Sequence, residues 1–108
     1  MAGNDIVPEL SKKEFESFVK QGHVLIDFTA SWCMPCIMMS PIMDDLAKKF
    51  KGKIKFGKID IDENPDLAER YNVVSIPNFI LFKNGQKADQ YIGSSSQEDF
   101  EKKLKKFV

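Results

Sequence analysis

The 108-residue chain has no long apolar run: nothing in it approaches the roughly 18 consecutive apolar residues of a membrane-spanning helix. Its opening "MAGNDIVPELSKKEF" also lacks a basic flank leading into an apolar stretch. These absences set the expectation of a soluble, cytoplasmic protein with no membrane partner. Excess charge of either sign is missing too. Sixteen Lys and Arg cancel sixteen Asp and Glu, and an interspersed, neutral charge pattern offers no footprint for nucleic acid. Histidine and cysteine are scarce, with one His and two Cys. A structural zinc ion takes about four protein ligands, so Cys33, Cys36 and His23 leave only a site shared between two chains. His23 alone, at a strand start, is read as an ordinary edge residue.

What is present is enough for one core. Hydrophobic residues make up 43% of the chain and aromatic residues 11%, so residues 1–108 are expected to form a single domain. Ser11 and Glu14 have capping-box spacing, with Leu10 and Phe15 placed as a hydrophobic staple, and Phe15, Phe18 and Val19 recur at helical spacing before Gly22. "HVLIDF" then carries Val24, Ile26 and Phe28 on one face and Leu25 on the other, the pattern of a strand covered on both sides; only Asp27 breaks it. Helical spacing runs from about Cys33 to Phe50, with Pro41 inside it as an expected kink. A second strand lies in "KIKFGKIDID", and Asn64 with Pro65 is placed to cap and start a helix reaching Tyr71. Residues 79–82 form a third apolar strand, and Asn84-Gly85 suits a type I′ turn into "ADQYIG". Ser96 and Asp99 open a last helix with Phe100, Leu104 and Phe107 on one face. Its Lys102, Lys103, Lys105 and Lys106 suit either a membrane-surface helix or, as the better reading, the solvated side of a docked one. This order predicts an α/β fold, a central mixed sheet with helices on both faces.

Cys33 and Cys36 stand in "SWCMPCIMMSP", between the first strand and the second helix. As a staple they would add little: closing a loop of roughly four residues is worth about 2 kcal/mol, against about 4.7 for one of 100. As a reactive pair they are well placed, because unpaired N–H groups and the dipole at a helix N-terminus favour a thiolate at Cys33. Cys36 lies one turn on, within disulfide reach, and Pro35 suits a first helical turn. The residues favour the reactive pair, with the staple and the shared zinc site still open.

"FTASWCMPC" with the "DF" ahead of it, Pro41, "KIDIDENP", "SIPNFILFKNG" and Gly93 resemble, in order and spacing, the thioredoxin family over essentially the whole chain. The resemblance implies the thioredoxin fold with an additional N-terminal helix, and protein disulfide oxidoreductase activity without a cofactor. By the same resemblance Cys33 attacks a substrate disulfide and Cys36 resolves the mixed disulfide, the two forming the redox-active disulfide. Asp27 matches the family's buried acid, whose burial should raise its pKa; from residues alone, a solvated Asp is the alternative. Lys58 matches a lysine near that acid, though an exposed strand lysine is nearly as good a reading. Pro77 matches a cis-proline facing the cysteines. Ile76 would offer backbone groups to a substrate peptide, and Trp32, Met34, Pro35, Ile92 and Gly93 would form the apolar rim, although Trp32 could equally be core.

The implied partners are disulfide-containing proteins and a thioredoxin reductase or equivalent electron donor, and a monomer is expected. A dedicated redox carrier or oxidant for one partner and a redox-inert scaffold are the alternatives. Met34 replaces the family's usual glycine and Ile37 its usual lysine, while Thr29 stands where a second tryptophan is common. The first two changes enlarge the apolar surface beside the nucleophile and remove a cation.

Overall fold

A computed structural model of the chain describes residues 4–108. Its first helix, α1 (Lys12–Phe18), begins where the capping box requires: the Ser11 hydroxyl accepts from the Glu14 N–H, and the Glu14 carboxylate accepts from the Ser11 N–H at 2.9 Å. After Gly22 the chain enters β1 (His23–Thr29). It continues through α2 (Met34–Lys49), β2 (Ile54–Asp60), α3 (Pro65–Arg70), β3 (Asn78–Lys83), β4 (Gln86–Ile92) and α4 (Gln97–Lys105). Pro41 lies inside α2, and the helix runs through it without a break; proline deletes one intrahelical hydrogen bond there.

The strands form one sheet in the order β2-β1-β3-β4. β1 runs parallel to β2 and antiparallel to β3, and β4 returns antiparallel to β3. Asn84 and Gly85 take φ of 51° and 86°, the left-handed values that a type I′ turn demands of both central residues. On the outer edge of β2 the segment before α1 makes a short parallel bridge. Lys58 N–H donates to the Pro8 carbonyl and Leu10 N–H to the Lys58 carbonyl, both at 2.9 Å.

Strand alternation separates two cores. Leu25, Ile54, Phe56, Phe79 and Leu81 face Met39, Met43 and Leu46 of α2 and Phe100 and Leu104 of α4. Val24, Ile26, Phe28, Ile59, Ile80 and Phe82 face Phe15 of α1 and Leu67 of α3. The predicted mixed sheet with helices on both faces, including the additional N-terminal helix, is what the chain forms. The C-terminal helix is docked: Phe79 and Phe100 rings meet edge-on at 4.9 Å, while Lys102 and Lys105 lie exposed and pair with Glu98 and Glu101. His23 is half-buried, its ring 6.1 Å from that of Phe107.

One capping expectation needs correction. Asn64 occupies the position before α3, but its side chain makes no capping hydrogen bond to that helix. Its Oδ1 accepts from the Lys12 N–H and its Nδ2 donates to the Asp60 carbonyl, both at 3.1 Å, so it ties the start of α1 to the end of β2.

The contact between α1 and the sheet depends on Gly57. A Cβ there would lie 2.8 Å from Leu10 Cδ1 and 3.1 Å from Phe18 Cε2, with Leu10 buried and unable to swing into solvent. Gly57→Ala is expected to destabilise the fold by roughly 1–3 kcal/mol, read as a lower urea midpoint with an unchanged m-value.

Candidate active site

β1 delivers the chain to the site. Beyond Thr29 a turn closes through the Cys33 N–H bonded to the Ala30 carbonyl at 3.2 Å. Cys33 is then the N-cap of α2, extended at φ −88° and ψ 103°, and its Sγ accepts from the Cys36 N–H at 3.3 Å. The sulfur therefore sits among the unpaired N–H groups of a 16-residue helix, which stabilise negative charge. Cys33 and Cys36 are joined by a disulfide with Cα atoms 5.3 Å apart, inside the range such a bond accepts.

Both sulfurs are largely covered, Cys33 with only 4% of its surface exposed. They differ in what covers them. A groove of about 400 Å³ is lined by Trp32, Cys33, Met34 and Pro35 on one side and Ile61, Val74, Ser75 and Ile76 on the other. Cys33 forms part of its wall and Cys36 does not.

Trp32 is 66% exposed, which removes the core reading, and its indole N–H donates to Asp62 at 2.7 Å. The Ile76–Pro77 peptide bond is cis, with Ile76 on the groove and Pro77 buried beside it. Gly93, at φ 91°, donates its N–H to the Pro77 carbonyl at 2.8 Å, and this bond places Ile92 and Gly93 at the same end of the sheet. They border Pro77 without lining the groove itself. Met34 and Ile37 are exposed on the first turn of α2.

Asp27 is on the face of β1 shared with Leu25, beneath α2, and Lys58 is its register partner on β2. Both are buried, so the solvated readings of the two residues fail. Asp27 Oδ1 has no hydrogen-bond partner. Burial pushes the carboxyl up to about 7, against a weaker downward pull from the Lys58 ammonium. Lys58 thus acts on the charge state of Asp27.

Several neighbours escaped sequence reading. Ile61, Val74 and Ser75 complete the groove, and nothing in the sequence separates the exposed Val74 from its buried neighbour Val73. Asn78, buried, accepts from Gln90 Nε2 at 2.9 Å and donates to the Ser75 carbonyl at 3.3 Å, bracing the loop that carries Ile76. Among the described residues, Glu9, Asp60 and Glu63 bring carboxylate oxygens within 4.8 Å of one another. Asp60 Oδ1 there accepts from the Asp62 and Glu63 N–H groups at 2.8 and 3.3 Å, which orders the loop holding Asp62 against Trp32.

A family model described as thioredoxin matches residues 6–106. The chain is 46% identical over 104 residues to "Thioredoxin M4, chloroplastic" of Arabidopsis thaliana, covering 94% of itself and 54% of that protein, so it spans about half the plant relative's length. It is 40% identical over 102 residues to a thioredoxin of Staphylococcus aureus, covering 94% of itself and 98% of the relative. A solved chain from work on thiol resolution in a yeast mitochondrial 1-Cys peroxiredoxin via glutathione/thioredoxin systems matches with a TM-score of 0.83 at 34% identity, over 93% of this chain and 94% of that one. Matched along nearly its whole length, in sequence and in backbone, and carrying its two cysteines at the family's active-site spacing, the chain belongs to the thioredoxin family of thiol–disulfide oxidoreductases.

Proposed function

We propose that the protein is a single-domain, monomeric reductant of protein disulfides in which Cys33 attacks and Cys36 resolves. The observation that carries this assignment is the asymmetry of the pair: Cys33 lines the groove and caps α2, while Cys36 is buried behind it. In the reduced state the Cys33 thiolate attacks one sulfur of a substrate disulfide, forming a mixed disulfide and releasing one substrate thiolate. Cys36, once deprotonated, attacks Cys33 Sγ. That step releases the second substrate thiolate and leaves the Cys33–Cys36 disulfide, with two electrons passed to the substrate.

Asp27 is the proton acceptor for Cys36 in this scheme. It faces α2, and a carboxyl held at about 7 exchanges protons readily near neutrality. Lys58, beside it in register, limits how far that value rises. Substrate lies in the groove as an extended segment against Ile76 and Pro77, with Trp32, Met34, Pro35, Ile92 and Gly93 around it. A thioredoxin reductase or equivalent donor returns two electrons to the disulfide through the same rim, and a cytoplasmic location suits a dithiol that must be kept reduced. A redox-inert scaffold would have no use for a helix-capping cysteine opening on a groove.

Cys36→Ser is expected to accumulate mixed disulfides through Cys33, seen as protein adducts that dissolve with a strong reductant. Cys33→Ser should capture none and should lose insulin-disulfide reduction to the background of the chemical reductant. A wild-type protein without turnover in that assay overturns the reading.

Asp27 also sets a pH dependence. Its carboxyl ionises at about 3.8 unfolded and about 7 folded, so unfolding releases a proton within that window. The stability that Asp27 contributes is therefore full below about pH 4, falls as pH rises towards 7, and levels off above it, by up to about 4 kcal/mol from this one group. Urea titrations of Asp27→Asn at several pH values should lack this decline, and its mixed disulfides should resolve more slowly at neutral pH.

A further inference from the structure

Among the described residues, the methionine sulfurs divide by exposure. Met39 and Met43 are buried in the core beneath α2, whereas Met34 is 65% exposed and Met38 69%. The two exposed thioethers sit four residues apart on α2, hence on one face, with exposed Ile37 beside them. Met34 also lines the groove over Cys33. Met34 therefore lies on the approach that a substrate protein covers when its disulfide reaches Cys33, and Met38, exposed one turn further along the same face of α2, extends that surface.

Building on the oxidoreductase reading above, we propose that Met34 and Met38 form an oxidation-controlled docking site, in which hydroperoxides convert the two thioethers to sulfoxides and weaken the binding of substrate proteins. In each step the thioether sulfur gives an electron pair to a peroxide oxygen. The S–O bond forms as the O–O bond breaks, sulfur is oxidised by two electrons, and hydrogen peroxide is reduced to water.

The state of the cysteines decides when this happens. With Cys33 and Cys36 joined, neither offers a thiolate, and the exposed sulfurs on this face are the two thioethers. With the pair open, the Cys33 thiolate is the better nucleophile and consumes peroxide first. Oxidation of the rim is thus a consequence of a dithiol that has already been spent and not recharged.

The effect follows from burial. A thioether loses water at little cost and packs against apolar side chains, while a sulfoxide carries a polar S=O group that must be desolvated under a docked partner. Neither reacting sulfur nor Asp27 is altered, so the loss falls on KM and spares kcat. Because Met39 and Met43 are enclosed, the fold is unchanged, and the modification can be undone by the two sulfoxide reductases, one for each epimer.

The test starts from protein held in its disulfide form, treated with hydrogen peroxide, freed of it, and then assayed for reduction of fluorescently labelled insulin with dithiothreitol as electron source. Peptide mass mapping should find one added oxygen on Met34 and on Met38 well before Met39 and Met43. KM for insulin should rise by roughly three- to tenfold with kcat nearly constant, and incubation with methionine sulfoxide reductases A and B should return it. Met34→Leu/Met38→Leu, compared with itself before and after peroxide, should show no rise. Oxygen appearing on Met39 and Met43 as early as on Met34 and Met38 overturns the proposal, as does an unchanged KM once both positions are oxidised. A protein inactive before any peroxide would instead overturn the oxidoreductase reading, so the two failures are distinguishable.

Discussion

The burial of β1 on both faces and both edges governs the rest of the molecule. Its backbone groups are satisfied by β2 on one side and β3 on the other. Its side chains alternate between the core under α2 and α4 and the core under α1 and α3. A strand enclosed in this way cannot slip by one residue, because every side chain would change core. That rigidity aims its last residues, and the turn beyond them sets Cys33 at the end of α2. The same enclosure holds Asp27 in a place where a carboxylate is costly, with one oxygen lacking any hydrogen-bond partner. Stability is given up there, and a carboxyl that titrates near neutrality is what results.

Around the cysteines the balance is reversed, with apolar side chains left in water. Trp32, Met34, Ile37, Met38, Val74 and Ile92 are all exposed, and exposed apolar groups gathered on one surface mark a place where another molecule docks. The loop opposite is held by polar contacts instead. Asn78 braces the Ser75 carbonyl, Gly93 holds the Pro77 carbonyl, and Asp60 orders the loop that presents Asp62 to Trp32. The groove thus has apolar side chains for walls and fixed backbone for edges, the surroundings that the proposed extended substrate segment would meet.

The elements that could be read in advance are those whose cause is local. Ser11 with Glu14, Asn84 with Gly85, and Ser96 with Asp99 each specify a turn or cap within a few residues, and each forms as expected. Leu25 opposite Val24, Ile26 and Phe28 announced a strand with two covers. Asn64 was misread for the complementary reason. Its position before Pro65 is that of a cap, but Lys12 and Asp60, distant or differently oriented in the chain, offer its side chain better partners.

By itself the sequence determined the order of helices and strands, the placement of Cys33 and Cys36 at a helix start, and the presence of one carboxylate in an apolar strand. Periodicity, capping and turn chemistry act over one or two turns of chain, so they are written in consecutive residues. Only the tertiary structure decided that Lys58 is buried beside Asp27, that Trp32 faces solvent, and that Ile61, Val74 and Ile76 close the groove on Cys33. Those outcomes depend on strand order and on which loops meet at one end of the sheet. The contacts span tens of residues, and no local pattern encodes which partner a side chain meets across that distance.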